Sequence, residues 1–373
     1  MTCNSSYNHW NKFVFFMWYC CFFSSPELSA QTKITDDLNI TINYHNGFIL
    51  PEYSNLGYLV HKKVQSASLN ISKITTGKND WEQVYNYPEY GFSLFYTTLG
   101  NDNVNGREIA LFPYFHLNFI SRKRFSLYNQ TGLGIGYVSR KFDLQSNYLN
   151  VAVGSHLNFH FNFKIGASYE VLKKVRLQSG ISFDHLSNGN LSNPNLGLNF
   201  VTLYSGVSYL VGSSSEKKKG NPSPHQSDHH FEFIYSPGMK HPRSLDPKFY
   251  FTSSLTFEYK WEPLRTIHFG LGADLFYDTS TKVEMLAANS TRFSKSDYYR
   301  SGIHLSQEFV YNRLSLILQE GVYLLLTDQV GHHTMYNRGI VRYKATDHFF
   351  FQFSMKSHLN ILDYPEFGLG VRW

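Results

Sequence analysis

His185 and Ser187 stand two positions apart at the end of a strictly alternating run, and together they supply two of the parts an ester hydrolase needs. A hydroxyl is a weak nucleophile until a base takes its proton, and an imidazole within reach can do so. Two further parts are required: a group to orient the imidazole, and N–H donors for the oxyanion that forms when an ester carbonyl is attacked. The residues that follow offer both. Asn188 and Gly189 open a loop able to turn tightly and expose N–H groups, and the amide of Asn195 is a third donor. Asn199 begins the next segment, on the same face as Val201, Leu203 and Val207. A hairpin joining the two segments is expected to bring Asn199 beside Ser187 and diagonal to His185. Asp184 is the nearest carboxylate, but parity sends it to the opposite face, so it is not a candidate.

The run that carries the pair, 174–187, sets Val175, Leu177, Ser179, Ile181, Phe183, His185 and Ser187 on one side, and Lys174, Arg176, Gln178, Gly180, Ser182, Asp184 and Leu186 on the other. Period-2 alternation marks a strand between two different environments. The face of His185 and Ser187 is the apolar one. In a soluble protein it would be the core, where a wet esterase site has no place. In a membrane barrel it is the lipid face, and the pair has acyl chains for neighbours.

Similar segments fill the chain: 38–44, 64–74, 90–98, 108–120, 124–138, 157–171, 200–210, 231–235, 250–261, 266–277, 298–311, 314–326, 338–344, 348–357 and 365–373. In 157–171 the apolar set Leu157, Phe159, Phe161, Phe163, Ile165, Ala167, Tyr169 and Val171 alternates with Asn158, His160, Asn162, Lys164, Gly166, Ser168 and Glu170. That is long for a sandwich strand and suits a tilted membrane strand, which needs about 9–11 residues. Convincing amphipathic helices are not expected. The count is about sixteen strands, an even number that closes without leaving an edge unsatisfied in lipid. The expected fold is therefore all-β, an antiparallel transmembrane β-barrel. One barrel built from both halves is the preferred form, with two tandem eight-stranded barrels as the alternative. The polar stretch 213–230 favours the alternative, because turns at one rim of such barrels are usually short. The expected division is 1–30 signal peptide, 31–211 first half with the site, 212–230 connection and 231–373 second half. The halves echo each other: Ser182-Phe-Asp-His-Leu-Ser-Asn is answered by Met355-Lys-Ser-His-Leu-Asn-Ile. In the second copy Asn360 takes the place of the serine, and parity turns His358 to the polar face.

Composition agrees with a barrel. Of 373 residues, 17% are aromatic and 17% charged, while mean hydropathy is −0.32, which excludes a bundle of membrane helices. The net charge of +6 comes with no nucleic-acid motif and suits a setting among anionic lipids. All three cysteines lie at positions 3, 20 and 21, beside an apolar run over 13–23 that ends in Ser29-Ala30 and reads as a cleaved export signal. A mature chain without cysteine has no disulfide, thiol nucleophile or cysteine metal site.

His-x-Ser-Asn followed by Asn-Pro-Asn-x-Gly-x-Asn resembles the active-site segment of the lipid A 3-O-deacylases, the PagL-type outer-membrane barrel esterases related to acyloxyacyl hydrolases. The likeness is closest over 183–210, extends over about 90–211 and is not seen beyond. It implies an eight-stranded barrel that removes an ester-linked acyl chain from lipopolysaccharide through a Ser-His-Glu triad facing the membrane. It makes Ser187 the nucleophile and His185 the base, puts Asn188 in the oxyanion hole and has Asn195 shape the site. The position of the acid holds Asn199, an amide that can orient the imidazole but cannot stabilise the imidazolium by charge. The implied partner is lipid A in the outer membrane of a Gram-negative bacterium, with no cofactor and no metal.

A different function is a pore or structural barrel, since sixteen strands can enclose water. His160, Lys164, Glu170, Arg176, Asp274 and Arg372, on the polar faces, suit a pore or a plugged interior alike. His225, His229, His230, His332 and His333 lack ligand spacing and read as solvated loop residues. Gly132, Gly134 and Gly136 fall on one face of a strand with no helix after them, which points to close packing in the lumen rather than a phosphate loop.

Overall fold

The computed structural model describes residues 36–51, 54–220, 222, 224–242, 248–289, 292–324, 333–358 and 361–373. The expected export signal, His332 and Asn360 lie outside them. Sixteen strands run in chain order: β1 Leu38–Leu50, β2 Val64–Ile74, β3 Glu89–Thr98, β4 Arg107–Ser121, β5 Phe125–Val138, β6 Leu157–Leu172, β7 Val175–Ser187, β8 Leu198–Val211, β9 Asp228–Lys240, β10 Tyr250–Glu262, β11 Ile267–Asp278, β12 Tyr299–Tyr311, β13 Leu314–Leu324, β14 Met335–Lys344, β15 Phe349–His358 and β16 Ile361–Arg372. Among the described residues, two short α-helices that the sequence pattern did not suggest, α1 Asp80–Val84 and α2 Thr281–Ala287, sit in connections.

The strands close as two barrels of eight, not as one of sixteen. The free edge of β8 is taken by β1, in a ladder running from Leu38↔Val211 to Leu50↔Asn199. Nothing is then left for β9, which pairs with β10 and β16 instead. Closure at eight follows from what the inward side chains are, because a barrel of this size is filled by side chains whereas a ring of sixteen leaves water inside. In the first barrel Tyr128 and Tyr204 meet hydroxyl to hydroxyl at 2.7 Å. His160 lies between Glu108 at 2.9 Å and Asp184 at 3.3 Å. The second barrel is filled by ion pairs: Arg338 with Asp274 at 3.0 Å and Glu366 at 3.2 Å, Arg342 with Glu232 at 2.9 Å, and Lys260 with Glu308 at 3.1 Å. Removing one partner of such a pair strands a buried charge, at a cost of about 3–5 kcal/mol. Packed interiors of this kind do not suit the pore. Gly132 and Gly134 belong to the same packing, since a Cβ on either would come within 2.6 Å of Phe112.

Outward positions are apolar and exposed, among them Ile42, Leu94, Ile109, Ile181, Leu203 and, on the second barrel, Leu271 and Leu369. Among the described residues no helix is long and apolar enough to cross a membrane. The first barrel has a turn rim, with short connections at 122–124 and 173–174 and a longer one at 75–88 that carries α1, and a loop rim whose described parts include 54–63, 99–106, 139–156 and 188–197. Beneath the loop rim the lumen turns apolar, where Val64, Phe95, Phe112, Leu186, Leu198 and Phe200 form a buried cluster. This plug gives the last residues of β7 and the first of β8 a rigid floor.

Candidate active site

Alternation along β7 puts Asp184 and Leu186 in the lumen, both fully buried, and turns His185 and Ser187 outward. Asp184 is spent inside the barrel, accepting hydrogen bonds from Asn162 at 2.7 Å and Ser182 at 2.8 Å. The outward pair lies in the middle of a three-strand patch. His185 stands across from Phe161 on β6 and Asn199 on β8, and Ser187 stands across from Phe159. Asn199 thus faces His185 directly, not Ser187 as the hairpin argument expects. The reason is register: β8 starts at Leu198 opposite Leu186, so Ser187 already extends beyond the ladder and into the loop.

This register brings His185 Nδ1 within 2.6 Å of Asn199 Oδ1. An amide oxygen only accepts, so Nδ1 carries the proton and the lone pair is left on Nε2, the nitrogen a general base would use. At Ser187 two donors converge on Oγ, the Nδ2 of Asn195 at 2.9 Å and the backbone N–H of Gly189 at 3.3 Å. The amide of Asn195 has its orientation fixed from the other end. The backbone N–H of Asn188 donates to Asn195 Oδ1 at 3.0 Å, which forces Nδ2 toward the serine. The side chain of Asn188 is occupied within the loop, giving a hydrogen bond to Ser192 O at 2.8 Å and taking one from the N–H of Leu191 at 3.1 Å. Asn188 therefore braces the loop, while Asn195 and Gly189 present donors at the hydroxyl.

Gly197 closes the site from below. Its φ is +73°, and a Cβ there would stand 3.1 Å from His185 Cε1 and 3.7 Å from Ser187 Cβ. The imidazole and the serine thus converge over one residue whose left-handed backbone suits glycine and where a Cβ would press on the imidazole and on the carbonyl of Leu186. Gly189, with φ +72°, makes the turn that aims its N–H back at Ser187.

One set of neighbours is absent from any reading of the sequence. The loop 188–197 rests on the second barrel: Asn190 Nδ2 donates to Asp363 O at 3.2 Å and His241 O at 3.3 Å. Asn193 Nδ2 reaches Pro242 O at 3.2 Å and His241 Nδ1 at 2.9 Å. Phe159 packs against Phe353, with ring centroids 5.7 Å apart. The asparagine-rich composition of the loop was the one available signal, and it says nothing about the partner.

The second copy of the motif falls on the seventh and eighth strands of its own barrel, β15 and β16. His358 points into that lumen, within 2.8 Å of the Tyr323 hydroxyl. His229 and His230 are on β9 rather than in a loop, because the strand begins at Asp228. His230 is buried against Glu232 at 3.2 Å, not solvated as the sequence suggested. Among the described residues no group of three or more His, Cys, Asp or Glu is arranged to hold a metal ion.

Residues 66–208 match the family described as lipid A 3-O-deacylase (PagL). Residues 229–373 match the acyloxyacyl hydrolase C-terminal domain, so the likeness continues through the second barrel instead of stopping near residue 211. Among solved structures, the outer membrane enzyme PagL is 17% identical and aligns over 44% of this chain and 97% of its own, with a TM-score of 0.31. Neisserial surface protein A is 13% identical over 47% of this chain and 97% of its own, with a TM-score of 0.32. Outer membrane protein Omp33 of Acinetobacter baumannii is 8% identical over 90% and 97%, with a TM-score of 0.17. No curated protein matches the chain.

Proposed function

The chain belongs to the PagL-type lipid A 3-O-deacylase and acyloxyacyl hydrolase family, and from that premise we propose that it is an outer-membrane esterase that removes an ester-linked acyl chain from lipid A. The observation that carries this reading is the convergence at Ser187: two donors on its Oγ, and beside it an imidazole whose Nδ1 is held by Asn199. His185 and Ser187 lie on the outward face of β7, the imidazole half-buried and the serine buried beside the half-buried rings of Phe159 and Phe161, so an acyl chain would reach them from the bilayer side. Short turns of bacterial outer-membrane barrels lie on the periplasmic side, so the loop rim that carries the site is the outer one, in the leaflet that holds lipopolysaccharide.

In this reading Ser187 Oγ attacks the ester carbonyl while His185 Nε2 takes its proton. The oxyanion of the tetrahedral intermediate moves between the Gly189 N–H and Asn195 Nδ2. The imidazolium, oriented by Asn199 Oδ1, gives its proton to the departing sugar oxygen, which leaves as an alcohol. Water, deprotonated by the same imidazole, then attacks the acyl-serine and releases the fatty acid. The test is covalent: a fluorophosphonate probe should label the purified protein and leave Ser187→Ala unlabelled. Equal labelling of both would remove Ser187 from the reaction.

A further inference from the structure

The second barrel touches the catalytic loop at the residues next to the oxyanion donors. Gly189 provides one donor, and the following residue, Asn190, is tied to the backbone at His241 and Asp363. Asn193, two residues before the other donor Asn195, is tied to His241 and Pro242. The outward residue paired with Ser187 is Phe159, and its ring packs on Phe353 of β15, which in turn meets Phe367 of β16 in a tilted contact at 5.1 Å. A Cβ on Gly189 would lie 3.0 Å from Phe159 and 3.9 Å from Leu362 Cδ2. The buried Ser187 therefore borders a seam with apolar side chains from both barrels. Phe353 and Met355 are half-buried on the outward face of β15, whereas Phe367 beside them is exposed.

The lumen beneath Ser187 is closed by Leu186, Leu198 and Phe200, so an acyl ester presented there keeps its hydrocarbon chain on the outward surface, which the second barrel lines on one side. Chain–wall contact is the main source of discrimination between acyl chains, since they differ only in methylene number. We propose that the second barrel is part of the active site: Phe353 and Leu362, with Phe159, form the wall against which the scissile acyl chain lies and so set which chain length is cleaved, while the anchors of Asn190 and Asn193 position the donor loop. The proposal rests on the serine-esterase reading above and assigns the second barrel a role in it. The two kinds of residue make different demands on kinetics. Wall residues act in proportion to the hydrocarbon they touch, so they alter kcat/KM for long esters only. Loop anchors act on the oxyanion, which every ester forms, so they alter kcat at all lengths alike.

The experiment uses the full chain in detergent micelles with p-nitrophenyl esters from butyrate to palmitate, each preparation being counted by fluorophosphonate labelling. Phe353→Ala and Leu362→Ala should each lower kcat/KM for the long esters about tenfold and change butyrate less than twofold. Phe353→Trp, which adds volume, should move the preferred length downward. Asn190→Ala should lower kcat by a similar factor at every length, and Phe251→Ala, an exposed outward residue on β10, should change nothing. Length profiles of Phe353→Ala, Phe353→Trp and Leu362→Ala that all superimpose on that of the parent, with labelling intact, would overturn the proposal. A parent that is neither labelled nor active would overturn the serine-esterase reading itself, and this inference with it.

Discussion

Replacing Asn199 by aspartate tests the orienting role with the least change of shape. The Asn199 Oδ1 to His185 Nδ1 separation is 2.6 Å, and aspartate keeps an oxygen in that place while adding a negative charge. A carboxylate about 4 Å from the centre of an imidazolium is worth about 4 kcal/mol at an effective dielectric of about 20, and about 1 kcal/mol in bulk water. Asn199 is half-buried, so both the attraction and the cost of desolvating the carboxylate are intermediate. A net gain of about 1–3 kcal/mol in the transition state corresponds to a rate about 5- to 160-fold higher. Asn199→Glu carries the same charge on a side chain one methylene longer, which must fold aside to keep the contact, and should at least preserve activity. Asn199→Ala should lower the rate modestly, because the imidazole loses its holder but not its reach. The assay is ester hydrolysis in micelles from neutral to alkaline pH. A large loss in Asn199→Asp, with the barrel still closed, would refute the reasoning and mean that the amide Nδ2 has a task of its own.

Asn195→Asp keeps the acceptor for the Asn188 N–H but removes the donor to Ser187 and sets a negative charge beside the oxyanion, so kcat should drop by at least about 10²- to 10³-fold, as steady-state kinetics would show. Gly197→Ala places a methyl against His185 and forces a side chain into the left-handed region, at about 1–2 kcal/mol. The barrel should still migrate as a heat-modifiable band, while activity falls by about 10²-fold through misplacement of the imidazole. His185→Asn should abolish hydrolysis, whereas His358→Asn, in the lumen of the other barrel, should leave the rate of the folded protein unchanged in the same assay.

The alternation of β2, β6 and β13 was legible because each strand separates lipid from a packed polar lumen, and a two-residue period records that difference directly. Where a strand carries turn-like residues the same rule failed. His45-Asn46-Gly47 looks like the end of β1, yet the strand continues to Leu50, with His45 buried 3.2 Å from Thr202 and Gly47 packed against the backbone of Val201. Ser236-Pro237-Gly238 conceals the second half of β9 in the same way. Barrel number was not legible for a different reason. Period 2 says that a strand has two faces but not which distant edge it meets, and the β1–β8 closure joins residues more than 140 positions apart. The outward parity of His185 and Ser187 was readable, whereas the partner of Asn199 depended on where the loop hands the chain back to the sheet. The contacts of Asn190 and Asn193 with the second barrel are non-local and leave no periodic trace.

The central claim is that Ser187 cleaves an acyl ester of lipid A. Mass spectrometry of lipid A from cells expressing the parent chain or Ser187→Ala, at equal levels of heat-modifiable barrel in the outer membrane, tests it most directly. The parent should yield a lipid A lighter by one fatty acyl group, with that acid recovered free, and the serine variant should leave lipid A intact. Unmodified lipid A in both strains, or the same loss in both, would contradict the account.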